Sequence, residues 1–497
     1  MKRLGLVICA WVLVAVAAGP ASAANLCVGV GPGCFSTLQA AVSAAKDGDT
    51  VNVGQGTFAG GVTIDKSIAL VGGGSNVTII SGGGPVLTIF RESAPDQLTV
   101  SIRGVTITGG VNDSKPDPPV TFGGGIWIPT SQLPAPPFNG TGATVTIDDS
   151  LITGNTVTSR AAIPPFGFCG PLPCGFNNGG GIDNGGVLTI TDSRITNNTA
   201  GSTSTLATLA SGVSAGGISN RFLSTLVLRR SVVSGNRSVA SLPNGQEATA
   251  GGIGSFGALT IEDSVVSDNA AEVTGTPPGF DEPVALAGGI RVGGDPNRVA
   301  TIRNTLVNGN RAVADVGSAD KLSIAFAGGI LAEAPLLLER AVVSGNLVRA
   351  VSAGDAAADG GGLEVDSTVT IRDSIVARNV VIAEAGRAAL AQGGGIANAG
   401  QLTVERTLVQ FNRVRARGAG GMLPFGEPSG AFGGGIWNGT FGGPPPTLTL
   451  TDSAILANSL DAPPGFLEQG GGVYTTFPIT RTRTLIAFNR PDQCFGC

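Results

Sequence analysis

Apolar and polar residues alternate in short runs along nearly the whole chain, and the runs recur in a fixed order. In "GGGIANAGQLTVERTLVQFN" (393–412), three glycines precede an aliphatic residue, a run around LTV alternates apolar with polar, and a second aliphatic run ends on asparagine. Side chains alternate across a strand with period two, so each run predicts a short β-strand. One unit therefore predicts three strands, at GGI, LTV and TLV, separated by Gly- and Asn-rich corners.

The same unit occurs ten times, and each copy closes on an asparagine. The copies recur every 31 to 46 residues, and the variation in length falls in the segment after the asparagine. A constant unit with a variable insertion is typical of a solenoid, whose copies bury their apolar faces by stacking. We expect the closing asparagines to bond amide to amide in a ladder along the axis. They are Asn155, Asn198, Asn236, Asn269, Asn310, Asn346, Asn379, Asn412, Asn458 and Asn489.

The pattern predicts an all-β fold in which the chain coils and each strand pairs in parallel with its equivalent in the next copy, about 4.8 Å along the axis. It resembles the right-handed parallel β-helix of the pectin-lyase-like superfamily. The opening "FSTLQAAVSAAKDGDTVNVGQGTF" (35–58) and "VTIDKSIALVGGG" (62–74) match the usual start of that group. The resemblance implies a single-stranded helix of three strands per coil and about a dozen coils, with a short N-terminal helix that caps the first coil.

The GG-I and I-x-x-N repeats are also similar to those of chlamydial polymorphic outer membrane proteins, which are adhesins. Two features depart from that pattern. The adhesin repeats usually carry Phe three places before Asn, where this chain has Ile or Val, and they are followed by a translocating β-barrel, for which this sequence shows no segment.

The first 23 residues have the pattern of an export signal. Lys2 and Arg3 precede an apolar run, and Ala21-Ser22-Ala23 supplies small residues for cleavage. We therefore expect a secreted or cell-surface protein without a membrane span after signal removal. Three segments follow: the signal at 1–23, an N-terminal cap with the first coils at 24–74, and the repeat domain at 75–497.

Charge excludes some partners. Without Lys2 and Arg3 the chain has 28 basic and 35 acidic residues, a net of −7, and no basic tract. Binding to nucleic acid phosphates is therefore not expected. We expect a monomer, with a polysaccharide or cell-envelope glycan as partner.

Six cysteines remain after signal removal, in three close pairs: Cys27/Cys34, Cys169/Cys174 and Cys494/Cys497. In an exported protein such spacing favours local disulfides, although spacing does not fix connectivity. The sequence has no histidine, and its cysteine pairs lie far apart, so no zinc site is expected.

Charged residues after the second strand of each unit form two columns. The first reads Arg229, Glu262, Arg303, Glu339, Arg372, Glu405, so its sign alternates from copy to copy. Opposite charges on neighbouring strands stabilise pairing by about 0.2–1 kcal/mol. We interpret these side chains as structural partners that help to fix coil order, and not as general acids.

Asp148, Asp149 and Asp192 lie close together in the first two copies, with no basic residue in register among the aligned copies. Three neighbouring carboxylates suit Ca²⁺, which lyases of the superfamily bind. The alternative is a solvated acidic patch.

The insertions after each asparagine hold many of the aromatic residues. If they project from one edge, seven phenylalanines form a strip that binds sugar rings or partner proteins. They are Phe138, Phe166, Phe168, Phe176, Phe280, Phe425 and Phe466. The alternative is that each covers the core beneath its own loop.

Catalysis is not favoured by the sequence. Without histidine the chain lacks the Gly-His-Gly element of polygalacturonases and the histidine of alginate epimerases, and catalytic residues stay unknown. We expect a non-catalytic glycan-binding protein of adhesin type. A polysaccharide lyase or glycoside hydrolase acting on uronate-type polymers, and a structural spacer, remain the alternatives.

Overall fold

The chain winds as a right-handed parallel β-helix. The computed structural model describes residues 23–91, 97–113, 121–130, 142–159, 176–203, 211–241, 245–275, 282–319, 321–440 and 442–497. Its strands form five sheets, and every strand pairs in parallel with the equivalent strand of the neighbouring coil. We number the sheets 1 to 5 in the order in which one coil visits them from its glycine pair.

Sheets 1, 2 and 3 contain the three strands expected of each unit. Sheet 1 holds Val62–Ile64, Leu87–Ile89, Ile126–Ile128, Ile182–Asn184, Ile218–Asn220, Ile253–Ser255, Ile290–Val292, Ile330–Ala332, Leu363–Val365, Ile396–Asn398, Ile436–Asn438, Val473–Thr475 and Cys494–Phe495. Sheet 2 holds Asn25–Val28, Thr50–Val53, Ala69–Gly72, Thr99–Arg103, Thr144–Asp148, Val187–Thr191, Thr225–Arg229, Ala258–Glu262, Ala300–Arg303, Leu336–Glu339, Thr368–Arg372, Gln401–Glu405, Thr447–Thr451 and Ile479–Thr482. Sheet 3 holds Gly56–Ala59, Thr78–Ser81, Thr106–Thr108, Leu151–Thr153, Arg194–Thr196, Val232–Ser234, Val265–Ser267, Leu306–Asn308, Val342–Ser344, Ile375–Ala377, Leu408–Gln410, Ala454–Leu456 and Leu485–Ala487.

Two further sheets come from the insertions, a feature that the three-strand pattern does not predict. Sheet 4 holds Val111–Asp113, Thr156–Ser159, Thr199–Thr203, Arg237–Ser241, Ala270–Thr274, Arg311–Val316, Leu347–Ser352, Val380–Ala385, Arg413–Arg417 and Ser459–Asp461. Sheet 5 holds Thr121–Phe122, Phe176–Asn178, Ser211–Ser214, Gly245–Thr249, Val284–Leu286, Leu322–Phe326, Asp355–Asp359, Ala389–Gln392, Gly430–Phe432 and Leu467–Gln469. The two sheets pack against each other as a side lobe on the main helix.

The two parts of the molecule have different cores. Leu, Ile and Val side chains from sheets 1 to 3 fill the main core, such as Ile290, Ile302 and Val307 in one coil. Alanines dominate the side lobe, where Ala312 and Ala314 of sheet 4 pack near Ala325 of sheet 5. Small side chains allow two sheets to approach closely, so the lobe is thin.

The first coil is covered by a short helix, Leu38–Ala44. The Oγ1 atom of Thr37 caps it by accepting a hydrogen bond from the Ala40 N–H at 3.2 Å. Leu38, Ala41 and Val42 are buried against the first strands, as the apolar stripe predicts. Among the described residues, no helix is long and apolar enough to cross a membrane.

The closing asparagines form a continuous ladder inside the helix. From Asn155 to Asn489, each Nδ2 donates to the Oδ1 of the next asparagine at 2.9–3.0 Å, and Asn489 ends the series by donating to Gln493. In the middle of the ladder, Asn310 Nδ2 also donates to the carbonyl of Val266 at 3.0 Å. Its Oδ1 also accepts the backbone N–H of Asn269 at 3.1 Å. Each inner amide is thus bonded at both of its polar atoms although it is fully buried.

The glycine pairs of the repeat are explained by the same ladder. The second glycine of each pair lies directly against an asparagine amide. A Cβ atom on Gly362 would come within 2.8 Å of Asn379 Nδ2 and 2.6 Å of the Gly395 carbonyl oxygen. A larger residue would have to displace both the ladder and a strand, so the GG-I and the I-x-x-N parts of the repeat require each other.

The first charge column is paired as its alternation predicts. Ion pairs join Arg229 to Glu262 at 2.9 Å, Arg303 to Glu339 at 3.0 Å, and Arg372 to Glu405 at 2.9 Å. The strand register places each of these pairs on adjacent coils. These carboxylates therefore act between coils, at the surface, where each pair contributes little to stability.

We predict that Asn310→Ala destabilises the fold by at least about 3 kcal/mol, because it removes four buried hydrogen bonds: those that its side chain makes with the Asn269 side chain, the Asn269 backbone N–H, the Val266 carbonyl and the Asn346 oxygen. Urea unfolding measures the change. Asn308→Ser is the matched control, since Ser267 and Ser344 occupy the same position in the adjacent coils and the change should be close to neutral. Equal losses in the two variants would contradict a role for the ladder.

Candidate functional site

A corner forms where each coil turns from sheet 5 into sheet 1, and most of the side chains in it are buried between the two sheets. The last residue of each sheet-5 strand and the second residue of the following sheet-1 strand both point into it. We call this surface the corner groove. The register of sheet 1 aligns Trp127, Asp183, Ser219, Gly254, Arg291, Leu331, Glu364, Ala397, Trp437 and Tyr474 along it. Because adjacent coils are about 4.8 Å apart, the nine steps from the first to the last residue span roughly 43 Å.

The groove begins at an aromatic pair with a cation above it. The Phe122 and Trp127 rings are stacked, with centroids 5.8 Å apart and planes inclined by 13°. The guanidinium carbon of Arg221 lies 3.9 Å from the Phe122 centroid. Arg221 also binds the buried carboxylate of Asp183, with Nε 3.0 Å from Oδ1. Burial raises the pKa of Asp183, although Arg221 opposes the shift.

The centre of the groove is organised around Arg291. Its Nε and Nη2 atoms bind Glu333 in a bidentate pair at 2.8 and 2.9 Å. Its Nη1 atom lies 3.4 Å from Glu247 Oε1, and its guanidinium carbon lies 5.2 Å from the Phe256 ring centroid. The arginine is therefore held in place by two carboxylates and one aromatic face, with little side-chain exposure.

Three further acids lie two coils beyond this arginine, and its charge acts on one of them, Asp366. Asp359 is the last residue of its sheet-5 strand, Glu364 lies in the following sheet-1 strand, and Asp366 follows directly. Asp359 and Glu364 are 1% and 6% exposed, and burial followed by the charge of Asp366 raises their pKa values well above the usual range. Desolvation and the charge of Glu333 raise the pKa of Asp366 to about 6, with Arg291 opposing, although Asp366 itself remains exposed at the rim.

Buried oxygen atoms here have no hydrogen-bond donor among the described residues. They are Asp359 Oδ1, Glu364 Oε2 and the Oε1 atom of Gln392, which pairs in register with Asp359. Buried polar groups are normally satisfied, so an excess of acceptors at one place marks a site with an unusual requirement.

The groove ends in a second aromatic group. Tyr474 lies between Phe432, with ring centroids 5.0 Å apart, and Phe495, with centroids 5.2 Å apart and planes inclined by 6°. Beside them is a cavity of about 120 Å³, which Trp437 and the amides of Gln392 and Gln469 help to line. Aromatic faces with polar groups at their edges are suited to sugar rings.

Of the phenylalanines singled out in the insertions, the structure describes the side chains of two, Phe425 and Phe466. Phe138, Phe166, Phe168 and Phe280 lie outside the described residues, and Phe176 begins a strand of sheet 5. Phe425 is exposed on the loop before Gly430–Phe432. Phe466 packs against the alanine core of the side lobe, which agrees with the core-covering alternative.

The prediction of a calcium site at Asp148, Asp149 and Asp192 is not supported. Asp148 forms an ion pair with Arg103 at 3.3 Å, and Asp192 forms one with Arg230 at 2.7 Å. The basic partners that the aligned copies seemed to lack are therefore present, one in an earlier coil and one in the next. In the part of the chain that the structure describes, no group of three or more acidic or cysteine side chains is arranged to hold a metal ion.

Two of the three cysteine pairs form disulfides. Cys27–Cys34 links the first strand to the loop before the helix, with Cα atoms 4.6 Å apart, and Cys494–Cys497 closes the last turn, with Cα atoms 5.9 Å apart. Cys169 and Cys174 lie outside the described residues.

The residues of the corner groove were not singled out from the sequence, although a signal was present. They occupy the position directly after the aliphatic residue of each GG-I element. The residue at that position differs between copies and is Trp, Asp, Arg or Glu in some of them. The glycine pair and the aliphatic residue before it are nearly constant. Variation at one outward position on a constant frame is where a repeat protein can place function.

The similarity of this chain to known proteins is low. No protein-family profile matches the chain. No curated protein matches it either. Among solved structures, the A-module of the Azotobacter vinelandii mannuronan C-5 epimerase AlgE6 is 14% identical, with 90% of this chain and 93% of that chain covered and a TM-score of 0.33. A PL6 alginate lyase in complex with a trisaccharide is 11% identical, with coverage of 94% and 86% and a TM-score of 0.32. The Agl-KA catalytic domain is 15% identical, with coverage of 89% and 64% and a TM-score of 0.33.

We predict that the fold is more stable near pH 5 than at pH 7.5. Asp359, Glu364 and Asp366 have folded-state pKa values above their unfolded values, so the folded protein binds more protons between about pH 4 and the raised values. Stability therefore falls as the pH rises through this window. Below this pH window, Asp461 makes stability fall as the pH is lowered, because three arginines lower its pKa to about 2.

The double variant Asp359→Asn/Glu364→Gln tests the assignment. Unlike the two acids, the amides take up no proton when the chain folds. The double variant should therefore have a free energy of unfolding about 1–3 kcal/mol higher than that of the parental protein at pH 7.5, with a flatter dependence on pH. Denaturant unfolding from pH 4.5 to 8 measures both effects. Asp65→Asn removes an exposed carboxylate and should preserve the slope. An unchanged slope in the double variant would show that these two acids are not the source.

Proposed function

We propose that the protein binds an extracellular polysaccharide along the corner groove. The observation that carries the proposal is the arrangement of aromatic rings and charged groups in a single line along the corner groove. Trp127, Phe256 and Tyr474 lie at its two ends and its centre, and Arg221 and Arg291 lie among them. A long polymer can contact such a line at several points, and each stacked ring adds about 0.5–1.5 kcal/mol.

The geometry favours a linear ligand over a small molecule. The cavities among the described residues, of about 120, 310 and 430 Å³, are separate from one another, whereas the groove extends over many coils with a constant rise per coil. A polymer with a regular repeat can therefore place equivalent groups against successive coils. Simultaneous weak contacts along one chain give useful affinity without any deep pocket.

We predict that Trp127→Ala and Tyr474→Ala each weaken polysaccharide binding about tenfold, because each removes one end of the aromatic line. Affinity electrophoresis in gels that contain different polysaccharides, after a glycan array has identified ligands, measures the loss. Phe488→Ala is the matched control, since Phe488 is 79% exposed and lies at the corner after sheet 3, away from the groove. Equal losses in all three variants, or no binding to any glycan, would contradict the proposal.

Cleavage of the bound polymer is the second candidate. Glycosidases place two carboxyl groups in environments that separate their protonation behaviour, so that one acts as an acid and the other as a base or nucleophile. Asp366, with a pKa of about 6, and Glu333, bound by Arg291, are the two carboxyl groups at the rim of the groove. Asp366 would donate a proton to the leaving oxygen, and Glu333 would act on the opposite side.

A cleavage assay separates this candidate from binding alone. If the protein is a hydrolase, new reducing ends appear and Asp366→Asn lowers their rate at least a hundredfold, because general acid catalysis contributes about 10²–10⁴. If it is a lyase acting on uronate polymers, the ultraviolet absorbance of an unsaturated product rises instead. Binding that persists in Asp366→Asn while turnover stops would support a catalytic role. Bound polymers that stay intact with the parental protein would exclude one.

A further inference from the structure

The centre of the corner groove is richer in acids than its aromatic ends. Five carboxyl groups belong to it: Glu247, Glu333, Asp359, Glu364 and Asp366. Arg291 binds Glu333 and Glu247, and its charge also acts on Asp366. Even with Asp359 and Glu364 protonated, three carboxylates face one guanidinium at neutral pH.

Below these charges lie buried oxygen atoms that lack a hydrogen-bond donor among the described residues, apart from the O–H that each protonated acid itself carries. Asp359, Glu364 and Gln392 are each more than nine-tenths buried, and each has an oxygen atom that accepts no hydrogen bond from the described residues. The described acids do not offer the arrangement of three ligands that would hold a metal ion. A cation that brings several N–H donors fits this deficit better than a metal that needs a fixed coordination shell.

We infer that the centre of the groove is a subsite for the primary ammonium group of an amino sugar, so that the preferred polymer is one with free amino groups. The inference rests on the proposed binding function and names its ligand class. Glu333 and Asp366, at the rim, are the groups that contact the ammonium. Glu247 and the buried acids below them strengthen the negative field.

The same charges disfavour the uronate polymers considered from the sequence. A polyuronate would place its own carboxylates beside Glu333 and Asp366, and like charges in a partly desolvated corner repel. A neutral acetylated polymer would meet the same rings without that repulsion, but it would bring no positive charge to Glu333 and Asp366. An ammonium group supplies both the opposite charge and N–H donors to these two rim carboxylates.

Calorimetry with three oligosaccharides of equal length tests the inference: glucosamine hexamer, N-acetylglucosamine hexamer and galacturonate hexamer, each at pH 6.5 in low salt. We expect the glucosamine hexamer to bind at least tenfold more tightly than the acetylated hexamer, because one or two charge-assisted hydrogen bonds contribute about that much. The galacturonate hexamer should bind most weakly of the three. Binding near pH 6 should also release protons, because a bound cation stabilises the ionised form of Asp366. Titrations in two buffers of different ionisation enthalpy measure this release.

Variants and controls make the outcomes distinct. Glu333→Gln and Asp366→Asn should each bring the ratio of the affinity for the glucosamine hexamer to that for the acetylated hexamer close to one. The affinity for the acetylated hexamer should be retained. Asp65→Asn removes the same charge outside the groove and should keep the preference. Equal affinity for the two hexamers, or tighter binding of spermidine than of the glucosamine hexamer, would overturn the amino-sugar subsite and leave polysaccharide binding intact. Failure of every oligosaccharide and polymer to bind would overturn the proposed function itself.

Discussion

The asparagine ladder and the glycines beside it fix the position of every coil relative to the next. An inner asparagine amide can satisfy its polar atoms only when the next coil presents another amide at the same height. The glycine that lies against that amide has no space for a side chain, as the contact between Gly362 and Asn379 shows. A coil displaced by one residue would leave several buried polar groups unpaired, at about 1–3 kcal/mol each. The register is therefore determined from inside the helix.

This internal constraint leaves the outward positions free to differ. The second residue of each sheet-1 strand contributes nothing to the ladder or to the main core, so its identity can change from one coil to the next while the backbone stays the same. Residues far apart in sequence, such as Arg291 and Glu333, are brought to contact distance because their strands are adjacent rungs. The side lobe then stands beside this row and turns an exposed sheet face into a corner, in which charges are partly withdrawn from water.

Much of the fold could be predicted from the sequence because the main core repeats a simple rule. Aliphatic residues at every second position predict the strands of sheets 1 to 3, and the stripe of Leu38, Ala41 and Val42 predicts the helix. Sheets 4 and 5 were missed because their inward positions are alanines, as in Asp355–Asp359, which give little hydrophobic contrast. The ion pairs of Asp148 and Asp192 were missed because the columns of charge were compared only from Arg229 onward. The corner groove was missed for a related reason. Side chains that converge across sheets 5 and 1 have no fixed spacing in sequence.

The acidic centre lowers the stability of the fold, which indicates that it has a function. In the two adjacent coils, the position of Asp359 is occupied by Phe326 and Gln392. The position of Glu364 is occupied by Leu331 and Ala397, so uncharged residues are compatible with both positions. Two buried acids without donors lower the stability of the fold relative to such neighbours. The rest of the helix, with its continuous core and ladder, has enough stability to tolerate that loss. Here the two buried acids lie beside an exposed acid, Asp366. Destabilising groups in such a position are typical of a site that binds a ligand.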